Sequence, residues 1–139
     1  MKKLLPIVLC LFCTAVLFAM EVGVSSFTAK SNGTDITLNW ESSREVELQS
    51  YEIQRSTQSQ GDFKSVATIS AKGVASRYEF VDENAYMKGG NGSTTEGTVY
   101  YYRLKMSGNG KTTLSDPITV THNVSSVRRT WGMIKEMFR

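Results

Sequence analysis

The sequence predicts an all-β domain: seven short antiparallel strands packed as a two-sheet sandwich, with one short amphipathic helix at the C-terminus. Three observations carry this expectation. Apolar and polar residues alternate with a period of two through most of the chain. Clusters of Gly, Asn, Asp and Ser interrupt the alternation at short intervals. A helical period is found only after residue 124.

Ahead of the strands, Met1-Lys2-Lys3 precedes an apolar run from Leu4 to Phe18 and the small residue Ala19. This is the layout of a secretory signal peptide over residues 1–19. An uncleaved membrane anchor is the alternative. Leu4 to Ala19 is 16 residues, a helix of about 24 Å against a hydrocarbon core of roughly 30 Å, and Pro6 interrupts it. Export is therefore expected. Both cysteines, Cys10 and Cys13, lie inside this leader. Its removal would exclude disulfides, Cys-ligated metals and thiol nucleophiles together. His122 is the one histidine, so no metal site, cofactor or Ser-His-Asp triad is expected.

The strands follow in order. Val22, Val24 and Phe27 supply a first, irregular one. Ile36, Leu38 and Trp40 alternate with polar residues in the second, and Tyr51 and Ile53 in the third. After the Gly61-Asp62 break come Phe63, Val66 and Ile69, then Tyr78 and Phe80. Tyr100, Tyr102, Leu104 and Met106 share one face of the longest run, with Tyr101, Arg103 and Lys105 on the other. Ser107-Gly108-Asn109-Gly110 is a turn signal. Lys111 to Val120 returns as one strand, and Pro117 suits an edge. The expected core comprises Trp40, Tyr51, Ile53, Tyr78, Phe80, Tyr100, Tyr102 and Leu104, with Phe63, Val66 and Ile69 also turned inward.

Residues 20–123 carry 10 basic and 12 acidic side chains. The tail, 124–139, carries Arg128, Arg129, Lys135 and Arg139 against Glu136. No broad cationic face exists to displace counterions, which argues against nucleic acid as a partner.

Glu41, Glu45, Glu47 and Glu52 cluster around the second and third strands. Glycosidase chemistry would need two carboxylates facing across a cleft. Arg44 and Arg55 nearby make ordinary surface pairs the simpler expectation. Asp82-Glu83-Asn84 offers oxygens to calcium, but Asp82 is more simply a turn cap. Gly89-Gly90-Asn91-Gly92 lacks the Gly-Lys-Ser/Thr of a phosphate loop and reads as a flexible loop at a sandwich end, where such modules meet partners. Tyr101 points outward. With only Tyr86 beside it, the aromatic plane of a carbohydrate-binding module is incomplete.

Taken together, Leu38-Asn39-Trp40, Tyr51-Glu52-Ile53-Gln54-Arg55-Ser56, Tyr78-x-Phe80-x-Asp82 and Tyr101-Tyr102-Arg103-Leu104 resemble secreted bacterial modules of the fibronectin type III family. Trp40 matches that family's core Trp, and Tyr100 its tyrosine-corner residue. Glu45 stands where such modules often place a Glu. The likeness covers roughly 22–121. It departs from the pattern in lacking Leu-x-Pro before the corner Tyr and in the long, glycine-rich segment 84–97. The resemblance implies an immunoglobulin-like sandwich over 20–123. It also implies a secreted, non-enzymatic interaction or structural element of an extracellular or cell-envelope assembly, with protein partners. A small carbohydrate-binding module is the alternative.

From Ser125 to Arg139 a helix would place Val127, Thr130, Trp131, Ile134, Met137 and Phe138 on one arc, flanked by Arg128, Lys135 and Arg139. Gly132 weakens so short a helix by about 1 kcal/mol, so it needs a surface to form on. Three surfaces compete for it: its own sandwich, a groove on an export or assembly partner, and a membrane. The expected interaction residues are thus Trp131, Ile134, Met137, Phe138, Arg128, Lys135 and Arg139, together with Tyr101.

Overall fold

The computed structural model describes residues 20–83, Ala85, residues 98–123 and Met137. The leader 1–19, the Gly89–Gly92 loop and, apart from Met137, the tail helix expected over 124–139 lie outside the described residues.

The described chain is all-β and forms two antiparallel sheets. One holds β1 (Glu21–Ser31), β2 (Ile36–Val46) and β5 (Arg77–Asp82) in the order β1-β2-β5. The other runs β4 (Lys64–Ser70), β3 (Ser50–Ser56), β6 (Thr98–Gly108), with β7 (Lys111–Leu114) and β8 (Ile118–His122) both paired to β6. That makes eight strands among the described residues, not seven. The extra one comes from the run expected as a single return strand. Lys105 pairs with Leu114 and Tyr102 with Ile118, so three steps along β6 meet four on the returning chain. The surplus residue falls in Ser115-Asp116-Pro117, where Pro117 has no N–H to give the ladder. Ser115 bridges the gap: its N–H donates to the Leu104 carbonyl and its Oγ accepts from the Leu104 N–H, both at 2.8 Å.

The β6–β7 turn is as the sequence predicts. Asn109 and Gly110 both hold positive φ, 48° and 69°, as a two-residue primed hairpin requires. Gly108 just before it faces the backbone of the β2–β3 turn; a Cβ there would lie 2.0 Å from the Glu47 carbonyl oxygen.

Bulges set which side chains reach the core. On β2, Ile36, Leu38, Trp40 and Ser42 are buried at even positions, then Glu45 at an odd one. The switch falls at Ser43, an extra residue between the Gly23–Arg44 and Val24–Ser42 pairs. A compensating shift between Val24 and Ser26 moves the inward phase of β1 from Val22 and Val24 to Phe27 and Ala29. A third shift, at Ile53/Gln54, separates the inward Ile69 of β4 from the residues that precede it. It places Phe63 on the outer side, corrected from the expected core.

The core is dominated by rings. Trp40 stacks on its register partner Tyr78, with centroids 5.1 Å apart and planes 6° from parallel, and Tyr51 tilts against both at 5.6 and 5.0 Å. Ile36, Leu38, Ile53, Tyr100, Tyr102, Leu104 and Met106 complete it, with Leu48 and Val120 closing the ends. Phe80, expected inside, is only half-buried and packs against this cluster from its rim.

Candidate functional site

Among the described residues, three buried titratable side chains, Glu45, Asp82 and His122, each centre a polar cluster inside the sandwich. The first surrounds Glu45, which is 4 % exposed. Its Oε1 accepts from Ser42 Oγ at 2.6 Å, Tyr78 Oη at 2.7 Å and Tyr51 Oη at 2.9 Å. Its Oε2 accepts from the Gly73 N–H at 2.8 Å. Tyr51 comes from the facing sheet, Tyr78 from the neighbouring strand and Gly73 from the β4–β5 connection. Burial alone would raise the carboxyl pKa, but the bonds from Ser42, Tyr78, Tyr51 and Gly73 outweigh it and hold Glu45 below its ordinary value. Burial first, and the Glu45 acceptor next, push the Tyr51 and Tyr78 hydroxyls up. A general acid needs the opposite: a carboxyl held neutral beside a reacting oxygen. Glu45 is a structural tie, and the surface pair expected of it is corrected.

Asp82 centres the second cluster with no exposure at all. Its Oδ2 accepts from Arg55 Nη1 at 2.5 Å and from Tyr102 Oη at 2.8 Å. Asp82 stands on β5 and both donors on the facing sheet, so this cluster also joins the two sheets. Burial opposes the guanidinium charge, but Asp82 and Tyr102 outweigh burial and raise the Arg55 pKa. The Arg55 guanidinium also lies 5.3 Å from the Tyr100 ring centroid. One expectation is corrected here: Arg55 is no surface partner for the β2–β3 glutamates, because its side chain is mostly buried against Asp82. Those go elsewhere. Arg44 pairs with Glu21, Arg77 with Glu41 at 3.4 Å, and Lys105 with Glu52 at 3.3 Å. Among the described residues no three His, Cys, Asp or Glu side chains gather as a metal set.

Tyr100, expected as a corner residue, is buried and its hydroxyl donates to the Ala85 carbonyl at 3.1 Å. This fastens the chain after β5 to the start of β6.

The third cluster is at the end of β8. His122 is buried, with Nδ1 2.6 Å from Ser31 Oγ on β1. That spacing is within reach of a nucleophile–base pair. Its Nε2 has no hydrogen-bond partner among the described residues, so none of their carboxylates orients the ring as a triad requires.

The outer side of the five-stranded sheet carries a further polar row, in which Gln54 and Ser56 are buried and Tyr101 and Arg103 half-buried. Across β3 and β6, Glu52 faces Lys105, Gln54 faces Arg103 and Ser56 faces Tyr101. Gln54 Nε2 donates to Glu52 Oε1 at 2.9 Å, and Arg103 Nε donates to Gln54 Oε1 at 2.7 Å. The Arg103 guanidinium lies 4.0 Å from the Phe63 ring centroid. The result is a row of planar polar groups locked side by side. Tyr101, half-buried between Ser56 and Thr119, borders it. Of the tail residues expected to interact, Met137 is 79 % exposed. Trp131, Ile134, Phe138, Arg128, Lys135 and Arg139 lie outside the described residues, as does Tyr86.

Phe63, Gln54 and Arg103 were not expected as a group. Alternation marks Arg103 as outward, but the bulge that turns Phe63 toward it leaves no local signal in the sequence. A comparison with protein-family models matches none to this chain, and a comparison with curated proteins finds no significant match.

Proposed function

We propose that this chain is a secreted, non-enzymatic module of fibronectin type III-like design, serving as an interaction or structural element of an extracellular or cell-envelope assembly. The observation that carries this reading is the use of the buried acids. Glu45 and Asp82 each accept hydrogen bonds from donors on the opposite sheet, so the interior polar groups hold the sandwich together. Chemistry toward other molecules is left to the outer surface. The type III likeness is supported by the Trp40-centred core, by the corner bond from Tyr100 and by strand count. Counting β7 and β8 as one strand bent at Pro117 restores seven. Export rests on the leader, Met1 to Ala19.

Cell fractionation followed by site-specific crosslinking from positions 101 and 103 tests this. The reading predicts a discrete protein adduct outside the cytoplasm, formed from position 101 and lost in Arg103→Glu while that variant still folds. The locked row beside Tyr101 favours a second reading, a small carbohydrate-binding module. Saturable binding on a glycan array, abolished by Tyr101→Ala, together with no protein adduct, would establish it instead.

A further inference from the structure

β8 ends on the chain's one histidine. His122 continues the alternation of Ile118 and Val120, so its ring turns into the sandwich and is 2 % exposed. There it meets β1 of the other sheet. The Ser31 hydroxyl lies 2.6 Å from Nδ1 and also accepts the Gly33 N–H at 3.2 Å. Gly33 in turn approaches the chain leaving β8: a Cβ at Gly33 would stand 3.2 Å from the Asn123 carbonyl oxygen. Ser31 and Gly33 on one side, His122 and Asn123 on the other, form the seam between β1 and β8.

The hydrogen bonding of this seam suits one protonation state. A neutral imidazole has one N–H and one lone pair. The Ser31 hydroxyl can give or accept, so either tautomer is matched at Nδ1 and leaves a single orphan, Nε2. A second proton makes both nitrogens donors. Nε2–H then carries positive charge into a buried position where no acceptor among the described residues is within hydrogen-bond reach, an expensive arrangement away from water. The charged groups facing the ring are Asp35 from the β1–β2 turn and Asp82 from β5, and Asp82 already holds Arg55 of β3. From β6 the neighbour is the Tyr100 ring, 6.2 Å away between centroids. Burial outweighs the two aspartates and keeps the imidazole neutral to lower pH than usual.

We propose that His122 is an acid-operated latch on this seam: the neutral ring holds the end of β8 against β1 through Ser31, and the protonated ring releases it. The released end is the one from which residues 124–139 follow in sequence, so the latch governs how the root of the tail is held. The linkage has one sign. The open state binds a proton at the ordinary value near 6.5, the closed state only at lower pH. Closure is therefore complete above that value and weakens below it, by up to about tenfold per pH unit.

Because the full chain has a single histidine, its imidazole can be titrated by NMR without assignment ambiguity. Amide exchange at pH 7.5 and 5.0, corrected for intrinsic rates, reads the seam directly. The latch predicts an imidazole titrating below 6.5. It also predicts protection of Val120–His122 falling at pH 5.0, by at most about thirtyfold, while Tyr51–Arg55 of β3 stays protected. Ser31→Ala should lower that protection already at pH 7.5, and His122→Gln should remove the pH dependence. Should His122→Gln not fold, the titration of the unaltered chain decides alone. A ring titrating at or above 6.5, or a β8 end equally protected at both pH values, would overturn the proposal. So would a pH dependence that survives His122→Gln.

Discussion

The Tyr78 hydroxyl donates to Glu45 at 2.7 Å, and the same ring lies flat on Trp40. One residue thus serves the polar and the apolar halves of the core. Tyr78→Phe keeps the ring and removes the bond. A hydrogen bond to a charged acceptor is worth about 1.5–3 kcal/mol, and the loss also strips the Lys72 N–H of its 2.9 Å acceptor. Urea denaturation should show a lower midpoint at unchanged slope.

Asp82 and Arg55 should be far more damaging to lose singly than together. Asp82→Leu leaves a guanidinium whose side chain is only 14 % exposed without its carboxylate, at a cost of about 3–5 kcal/mol. Replacing both by leucine removes the stranded charge and should recover a large part of that loss, although Tyr102 still lacks its acceptor. A double-mutant cycle by denaturation measures the coupling.

Trp40→Ala and Tyr100→Phe separate packing from fastening. The first empties the space beside the Tyr51 and Tyr78 rings and should cost about 3–5 kcal/mol. The second removes only the bond to Ala85 and should cost about 1 kcal/mol. Equal midpoints for Trp40→Ala and wild type would contradict the core described above.

Gly108→Ala tests a close approach between backbones. The added methyl would lie 2.0 Å from the Glu47 carbonyl and 2.9 Å from the Leu48 Cα, neither of which is the free end of a side chain. Glu47 is itself held at φ 58°, so the turn has little freedom to retreat. A loss of about 1–3 kcal/mol is expected, read as a lowered melting temperature.

Much of this was legible in the sequence, for identifiable reasons. Strict alternation placed Trp40, Tyr51, Ile53, Tyr78, Tyr100, Tyr102 and Leu104 inside, and all are buried. The same rule failed wherever a bulge shifted the phase. Counting by twos from Trp40 turns Glu45 outward, and only the extra residue at Ser43 turns it in. In three places the signal was present and undervalued. Arg55 continues Tyr51 and Ile53, Asp82 continues Tyr78 and Phe80, and His122 continues Ile118 and Val120. A charged or titratable residue that extends an inward alternation needs a buried partner. Two such residues of opposite sign on facing strands could have been paired from sequence alone. The Ser31–His122 contact, spanning 91 positions, could not.

The central claim is that Glu45 is a tie between the sheets and not a reactive acid. Glu45→Gln tests it most directly, by chemical denaturation across pH. Glutamine must turn its NH₂ group either toward the Gly73 N–H, where donor meets donor, or toward the Ser42, Tyr51 and Tyr78 hydroxyls, which then lose the acceptor of their own protons. The account predicts a stability loss of about 1.5–3 kcal/mol at pH 7. It also fixes the sign of the pH effect. Glu45 ionises below its ordinary 4.5 in the folded state, so the unfolded chain takes up the proton first. Wild-type stability should therefore fall as pH drops below about 4.5, with a shallower fall in Glu45→Gln. A variant with wild-type stability at pH 7 and an unaltered acid limb would contradict the account.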